Sequence, residues 1–395
     1  METGKRLQSI DAVRGAVMIM MALDHVRDFV HRDAMQFSPT DLARTTPLLF
    51  LTRWVTHFCA PAFLFLAGVS AFLWWQRGRS RGQLSRFLLA RGAWLILLEL
   101  TVMRLAYDLN FSSQPPVLLI ILWVIGLCMI GMAGLLWLPL RWLAVLSLAV
   151  IGLHHLLDPL RAANFGKAAG LWNLLHEPGA FRVASQTVIV GYPLVPWIAV
   201  MTAGFCFGPV LLMDPARRRR ILAAAGTAAA LAFVIVRGLH VYGDPAPWSA
   251  QKTGIFTVLS FLNCTKYPPS LAFLLMTLGP MLLALAWSER ARLTAVNPLI
   301  VFGRVPFFYF VLHFYAARVV AALLAWLRYG RESTAFLFQP LPSMGGPREL
   351  FPAAFGYDLW VVYAVWAAVV AALYPACRWF AGVKARRRDW WLSYL

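Results

Sequence analysis

The stretch Ile10 to Phe29, IDAVRGAVMIMMALDHVRDF, places an apolar run beside a dense cluster of polar residues. The run Gly15 to Leu23 carries no charge, and Asp24-His25-Val26-Arg27-Asp28 follows it directly. A charge inside a membrane span costs about 2.5–3.5 kcal/mol on insertion scales, so a cluster of such residues indicates function. Because no small-residue cleavage site follows the run, we interpret the stretch as a retained first span and not as a signal peptide.

The composition supports a membrane protein along the whole chain. Of 395 residues, 60% are hydrophobic and 13% are charged, whereas soluble domains average about 45–50% and about 25%. The apolar residues form separate runs of roughly 20, the length of a membrane-spanning helix. We predict an all-α integral membrane protein, a single domain over residues 1–395 with about ten transmembrane helices. The predicted spans are 9–31, 48–75, 87–107, 116–138, 142–157, 188–213, 220–239, 268–288, 304–327 and 358–379.

The positive charge is distributed unevenly between the two faces that these spans create. The net charge is +19, and 19 of the 36 Lys and Arg residues fall on the side of the N-terminus, against 10 on the other side. Cytoplasmic loops carry such an excess, so we predict that both termini are cytoplasmic, in a multi-pass protein of the plasma or bacterial inner membrane. The charge is expected to contact anionic lipid, and we predict no nucleic-acid partner. Five scattered cysteines without CxxC spacing predict neither a disulfide framework nor a metal site.

Two histidines are the candidate catalytic residues. His25 and Asp28 are three residues apart on a helix, so the carboxylate could hold one ring nitrogen and leave the other free. In the second span, Arg53 and His57 share one face, and Pro61 should weaken the helix near His57. We predict His25 as the catalytic base, Asp28 as its orienting group and His57 as an assisting residue. The alternative is that each histidine is a satisfied polar residue that bridges two helices.

Four arginines are candidates for binding an anionic substrate. Arg14, Arg91 and Arg304 lie near the predicted inner ends of their helices, and Arg53 is the fourth member of the set. Arginine and the amides of a helix N-terminus suit phosphate binding. Arg14 and His25 are eleven residues apart, which returns to nearly the same helix face and separates them by ~16 Å. The alternative is that these arginines only set topology.

Four motifs resemble one known family. Ile10 to Phe29 and Thr56 to Ser70 (THFCAPAFLFLAGVS) are similar to the catalytic domain of heparan-alpha-glucosaminide N-acetyltransferases, especially to bacterial multi-span members. Thr265 to Ser270 (TKYPPS) and Gly303 to Phe307 (GRVPF) are similar to the same members. The wider transmembrane acyltransferase superfamily resembles the first motif and has an essential histidine at the position of His25.

The resemblance implies transfer of an acetyl or other acyl group from cytosolic acyl-CoA to a carbohydrate-type acceptor on the far side, without a metal. The lysosomal enzyme differs: it has asparagine at the position of His25, aspartate at that of His57, and its catalytic histidine at that of Gln36. His31 and His57 therefore remain alternative bases. A homodimer is a further expectation. The competing functions are a proton-coupled secondary transporter, in which His and Asp relay protons, and a non-catalytic assembly or lipid-interaction protein.

Overall fold

The computed structural model describes residues 7–109, 116–344, 346–387 and 389–393. Lys5 and Arg6, which contribute to the predicted inner charge, lie outside the described residues. The structure is mostly helical, with 72% helix. The helices are α1 (Gln8–Val30), α2 (Pro47–Trp54), α3 (Cys59–Trp75), α4 (Arg81–Leu98), α5 (Arg104–Asp108), α6 (Ile121–Leu135), α7 (Leu140–Leu153), α8 (Ala169–Leu175), α9 (Trp197–Leu211), α10 (Pro215–Leu239), α11 (Gly254–Leu262), α12 (Leu271–Ser288), α13 (Pro298–Arg304), α14 (Pro306–Tyr329) and α15 (Leu359–Arg386).

Six helical segments among the described residues are long and apolar enough to cross a membrane. They are Pro47–Trp75, Leu140–Leu157, Pro215–Leu239, Leu271–Ser288, Pro306–Ala335 and Leu359–Arg386. Two further apolar helices, Ile121–Leu135 and Trp197–Leu212, are shorter. Helix α1 has 23 residues but carries the polar cluster of the first motif. The chain is therefore a multi-pass membrane protein, and the count of about ten spans stays a prediction.

A small sheet corrects the expectation of an all-α fold. Its strands are β1 (Val117–Leu119), β2 (Gly179–Val183) and β3 (Gln186–Val190), in the order β1-β3-β2. Strand β3 pairs in parallel with β1 and antiparallel with β2. The starts of the predicted spans 116–138 and 188–213 contain β1 and the last three residues of β3. A short apolar run fits a strand as well as a helix by hydropathy, and the β-branched residues of TVIV in β3 favour the strand.

The second predicted span is interrupted where the sequence contains a proline. Val55–Phe58 form a 3-10 turn between α2 and α3, and Pro61 lies in the first turn of α3. Proline has no backbone N–H, so a regular helical hydrogen bond is missing at this point. The predicted weakening of the helix near His57 is confirmed.

A buried carboxylate joins the end of α4 to the start of α6. Glu99 begins a π-helical segment that continues to Met103. Its carboxylate accepts hydrogen bonds from the backbone N–H of Leu122 (2.8 Å) and Trp123 (3.2 Å) and from the Tyr107 hydroxyl (2.8 Å). Free amides at a helix N-terminus bind negative charge well. The Glu99 carboxylate therefore holds the first turn of α6.

Two glycines allow α1 and α13 to pack in backbone contact. A Cβ atom on Gly15 would lie 1.9 Å from the carbonyl oxygen of Leu299, and one on Gly303 would lie 1.8 Å from that of Asp11. Small residues permit such close approach between membrane helices. The contact places the start of α1 beside the end of α13, so Arg14 and Arg304 can face a common space.

The charge asymmetry makes a topology prediction that can be measured. We expect a single cysteine placed after Lys384, in a variant without the native cysteines, to react with a membrane-impermeant maleimide only from the cytoplasmic side, because basic residues favour that side. Labelling of right-side-out and inverted vesicles checks this, with a cysteine in the loop around Asp244 as the opposite-side control. Labelling of the tail from outside would contradict the ten-span topology.

Candidate active site

A cavity surrounds the C-terminal half of α1; we call it the histidine cavity. It has a volume of about 790 Å³, within the range of small-molecule sites. Charged side chains in its wall are Asp24, Arg27, Asp28, Arg53 and Lys266, and His25 lies among them. The strands β2 and β3, the segment 34–39 and the segment 342–344 also contribute to the wall.

A second cavity lies beside the N-terminal half of α1; we call it the arginine cavity. It has a volume of about 430 Å³, and Arg14, Arg91, Arg304 and Lys384 line it. Arg14 donates hydrogen bonds to Ser70 Oγ (2.8 Å) and to the carbonyl oxygen of Gly303 (3.3 Å). The structure thus brings together three of the four arginines predicted to bind an anionic substrate. It separates the fourth, because Arg53 lines the histidine cavity.

The two cavities have wall residues in common. Ile121, the first residue of α6, and Phe310 on α14 line both of them. Along α1, the arginine at one cavity and the histidine at the other are eleven residues apart, a rise of ~16 Å. The site therefore has a cationic end and a histidine end that adjoin at Ile121 and Phe310.

His25 is packed against aromatic rings on α14. Its ring centroid lies 4.6 Å from that of Phe314 and 5.3 Å from that of His313. Nδ1 of His25 is buried and has no hydrogen-bond partner among the described residues. Asp28, predicted to hold this ring, instead pairs with Arg27 at 2.5 Å. Aromatic packing, and not a hydrogen bond to Asp28, orients the His25 ring.

Asp24 organises the cations around the histidine. Its carboxylate pairs with Arg53 and with Arg27, the latter at 2.8 Å. The Thr56 hydroxyl donates to the same carboxylate at 2.9 Å. These contacts tie α1 to the second predicted span and explain the position of Arg53. Asp24 is adjacent to His25 in the sequence and is not among the residues predicted for the site.

The two alternative histidines lie away from the cavity wall. His57 is 3% exposed, its ring packs 5.4 Å from that of Phe273, and it is absent from the wall of the histidine cavity. His31, at the end of α1, is also 3% exposed and forms a β-bridge with Tyr357. Of the three histidines considered from sequence, His25 is the one that lines this cavity.

Sequence reasoning passed over three residues that lie close to His25 or line its cavity. His313 is fully buried beside His25, and its Nδ1 is 2.9 Å from the carbonyl oxygen of Tyr309. This contact assigns the proton to Nδ1. Lys266 and Tyr267 line the cavity from the loop before α12. The sequence contains two signals for these residues. One is a histidine within the apolar span 304–327, and the other is a lysine in the TKYPPS motif.

The pKa of the Tyr267 phenol indicates a positive electrostatic potential at this wall. Tyr267 as a whole is 40% exposed. Desolvation of its phenol opposes ionisation, but the nearby cations Lys266 and Arg53 outweigh that effect and lower the pKa of the phenol. Nearby opposite charge favours the ionised form of a group. The part of the histidine cavity next to Lys266 is thus electropositive.

The arrangement can bind a ligand with a phosphate-rich group at one end and a reacting group at the other. Arginines in the smaller cavity suit phosphate oxygens, since guanidinium groups form strong charge-assisted hydrogen bonds to them. A histidine in the larger cavity suits general acid–base chemistry or nucleophilic catalysis. Arg14 at one end and His25 at the other belong to α1, so the spacing of these two residues is set by helical geometry.

Comparison with known proteins assigns the chain to a family. The profile described as "Heparan-alpha-glucosaminide N-acetyltransferase, catalytic" matches residues 6–242. No curated protein matches the chain significantly. The matched region includes α1, the second predicted span and Arg91, whereas Arg304 and Lys266 lie beyond it. Since the match covers more than half of the chain, this protein belongs to the heparan-alpha-glucosaminide N-acetyltransferase catalytic-domain family, a family of membrane acetyltransferases.

Proposed function

We propose that this protein is an acyl-CoA-dependent membrane acyltransferase, most simply an acetyltransferase. The phosphate-rich head of acyl-CoA binds in the arginine cavity from the cytoplasm. A carbohydrate-type acceptor binds in the histidine cavity from the other side of the membrane. The proposal extends the family assignment to a donor, an acceptor class and a set of residues.

One observation carries the proposal: a cationic cavity and a histidine cavity adjoin at opposite halves of one helix. Arg14, Arg91 and Arg304 line the first, and His25 lines the second. Arg14 and His25 are separated by ~16 Å along α1. This distance is comparable to the length of an extended pantetheine arm. A thioester carried on such an arm would pass Ile121 and Phe310 on its way to His25.

In the proposed reaction, His25 removes a proton from the acceptor hydroxyl or amine as that group attacks the thioester carbonyl. The C–O or C–N bond forms, the C–S bond breaks, and the thiolate of CoA takes up a proton on leaving. Because Nδ1 of His25 is buried in the protein, Nε2 is the ring nitrogen that serves as the base. The Asp24 and Asp28 carboxylates stabilise the imidazolium that forms, since opposite charge nearby favours the charged state.

Acyl transfer in reconstituted vesicles tests this function. Acetyl-CoA labelled in the acetyl group is supplied on the side of the C-terminal tail, with amino sugars and neutral sugars on the other side. We expect label to appear covalently on an acceptor. Proton-driven movement of an acceptor without covalent labelling would overturn the proposal and favour the transporter.

A further inference from the structure

A second histidine, His313 on α14, lies next to His25 and outside the cavity. The two ring centroids are 5.3 Å apart, and the ring planes are tilted by 39°. His25 lines the histidine cavity, whereas His313 is fully buried and is not among the described residues of the cavity wall. His313 can therefore act on the proposed base, but it does not contact a ligand in the cavity.

The His313 ring has a hydrogen-bond acceptor that is not used. Its Nδ1 donates to the carbonyl oxygen of Tyr309 at 2.9 Å, and in a neutral imidazole the other nitrogen then carries the lone pair. That nitrogen, Nε2, is buried and has no hydrogen-bond partner among the described residues. The ring also stacks on that of Tyr309, at 5.1 Å and 10°. The hydrogen bond and the stack together hold the acceptor in place.

The His25 ring has the complementary need for an acceptor. If Nε2 of His25 is to remove a proton, it must carry the lone pair, so the proton of the neutral ring must lie on Nδ1. This Nδ1 is buried and has no hydrogen-bond partner among the described residues. A buried donor without an acceptor costs free energy. His25 thus has a donor that lacks an acceptor, and the adjacent His313 has an acceptor that lacks a donor.

The spacing of the two rings suits a direct hydrogen bond between them. Two ring nitrogens that turn toward each other across a centroid distance of 5.3 Å come to about 3 Å apart, an ordinary hydrogen-bond length. The χ2 torsion of histidine has broad minima, so a rotation of the His25 ring can align its N–H. Because His313 is held by Tyr309, the His25 ring is the one that adjusts.

We infer that His313 is a positioning residue, whose Nε2 accepts a hydrogen bond from the Nδ1–H of His25. The bond keeps the proton of neutral His25 on Nδ1 and leaves Nε2 free to act as the base, since the partner of one ring nitrogen sets the state of the other. When Nε2 takes up the proton of the acceptor substrate, the same hydrogen bond becomes charge-assisted and stabilises the imidazolium. The inference rests on the proposed function, because it takes His25 as the base.

Nitrogen NMR tests the tautomer directly. The full chain, labelled with ¹⁵N-histidine in lipid nanodiscs, is measured near neutral pH without substrates, and the signals of His25 are identified by their loss in His25→Ala. We expect His25 to be protonated at Nδ1 and unprotonated at Nε2. In His313→Phe, part of the population should move to the Nε2–H tautomer. A wild-type proton on Nε2, or an unchanged His25 spectrum in His313→Phe, would overturn the inference.

Turnover gives a second, independent readout, with acetyl-CoA as the donor and glucosamine as the acceptor probe. His313→Phe should lower kcat by about 10- to 100-fold, the effect of one hydrogen bond to a charged group. The KM for acetyl-CoA should not change, because His313 contacts no ligand. His313→Gln keeps an acceptor oxygen near the position of Nε2, so it should retain the tautomer and most of kcat. Equal losses in the two variants would contradict a role for the acceptor.

His154→Phe is the matched control for the loss of a buried histidine. The Nδ1 of His154 is 3.1 Å from the carbonyl oxygen of Ile151, and its Nε2 is likewise buried without a partner among the described residues. His154 is not among the described residues of the histidine cavity wall. Its replacement should change neither the tautomer of His25 nor kcat. An equal loss of kcat in His154→Phe would show that the effect at His313 is merely structural. If His313→Phe cannot be purified, the wild-type tautomer and His313→Gln decide.

The outcome is separable from that of the proposed function. The spectra are recorded without substrates, so a tautomer that depends on His313 can be found even if no acyl transfer is detected. That result would remove only the enzymatic proposal. Conversely, acyl transfer with an unchanged kcat in His313→Phe would remove only the inference about His313.

Discussion

Alanine at position 25 is expected to slow acyl transfer by about 10²–10⁴-fold, the usual contribution of a general base. His25 lines the cavity, and its ring contacts Phe314 and His313 without a hydrogen bond to the protein through Nδ1. Loss of the ring therefore removes the proposed base but breaks no ion pair, so the protein should still insert and fold. Turnover and thermal stability, measured on the same detergent-purified sample, check both statements.

His57→Ala is the matched control for this experiment. His57 is a histidine on the neighbouring predicted span, buried against Phe273 and away from the cavity wall. Its replacement leaves a void in a packed region, so we expect lower stability and a much smaller loss of turnover per folded molecule. The alternative, that both histidines only bridge helices, predicts lower stability and nearly normal turnover for both variants.

Normal turnover in the His25→Ala protein would end the assignment of His25 as the base. The base would then have to be sought at His57 or His31, the two alternatives considered from sequence. Either would require the wall of the cavity to rearrange when a substrate binds, because neither residue contributes to it in this structure.

Arg304→Ala should raise the KM for acyl-CoA by about 10- to 100-fold with little change in kcat. Arg304 lines the arginine cavity, and its nearest acidic atom, Asp11 Oδ2, is 4.0 Å away from Nε. A charge-assisted hydrogen bond to a phosphate contributes about 1.5–3 kcal/mol. Contacts to a part of the substrate that does not react give uniform binding, which changes KM more than kcat.

Arg290→Ala provides the control for Arg304. Arg290 is an exposed arginine of the loop that precedes α13, so its loss changes the local charge without touching the cavity. Steady-state kinetics over a range of acyl-CoA concentrations, at constant ionic strength, compare the two variants. An unchanged apparent affinity in Arg304→Ala would show that the arginine cavity does not bind the phosphates of the donor.

The class of the protein and the two ends of its candidate site could be read from the sequence. Apolar runs of about 20 residues identify membrane helices because the bilayer sets the length of a span. The polar cluster of α1 marks a functional site because charge in a span is costly. Helical periodicity also places Arg14 and His25 on one helix, because the spacing of two residues along a helix depends only on the residues between them.

Tertiary structure decided which helices contribute the remaining groups. Arg14 and Arg304 meet at one cavity because α1 and α13 approach closely at Gly15 and Gly303, and α4 contributes Arg91 to the same cavity. Arg53 belongs to the other cavity because Asp24 holds it there. Sequence spacing gives the face of a helix but not the rotation of that helix against its neighbours, so it could not separate Arg53 from the other arginines.

The same reason explains the residues that sequence reasoning placed wrongly or passed over. Asp28 has the right spacing to reach His25, but Arg27 is a stronger competitor for its carboxylate. The runs that became β1 and β3 are apolar enough for spans, yet pairing between residues distant in sequence makes them a sheet over the cavity. Lys266 enters the site only because a turn braced by Asp244 carries it there. Local periodicity thus determined the helices and the chemistry of α1, whereas contacts between distant segments decided which side chains share a cavity.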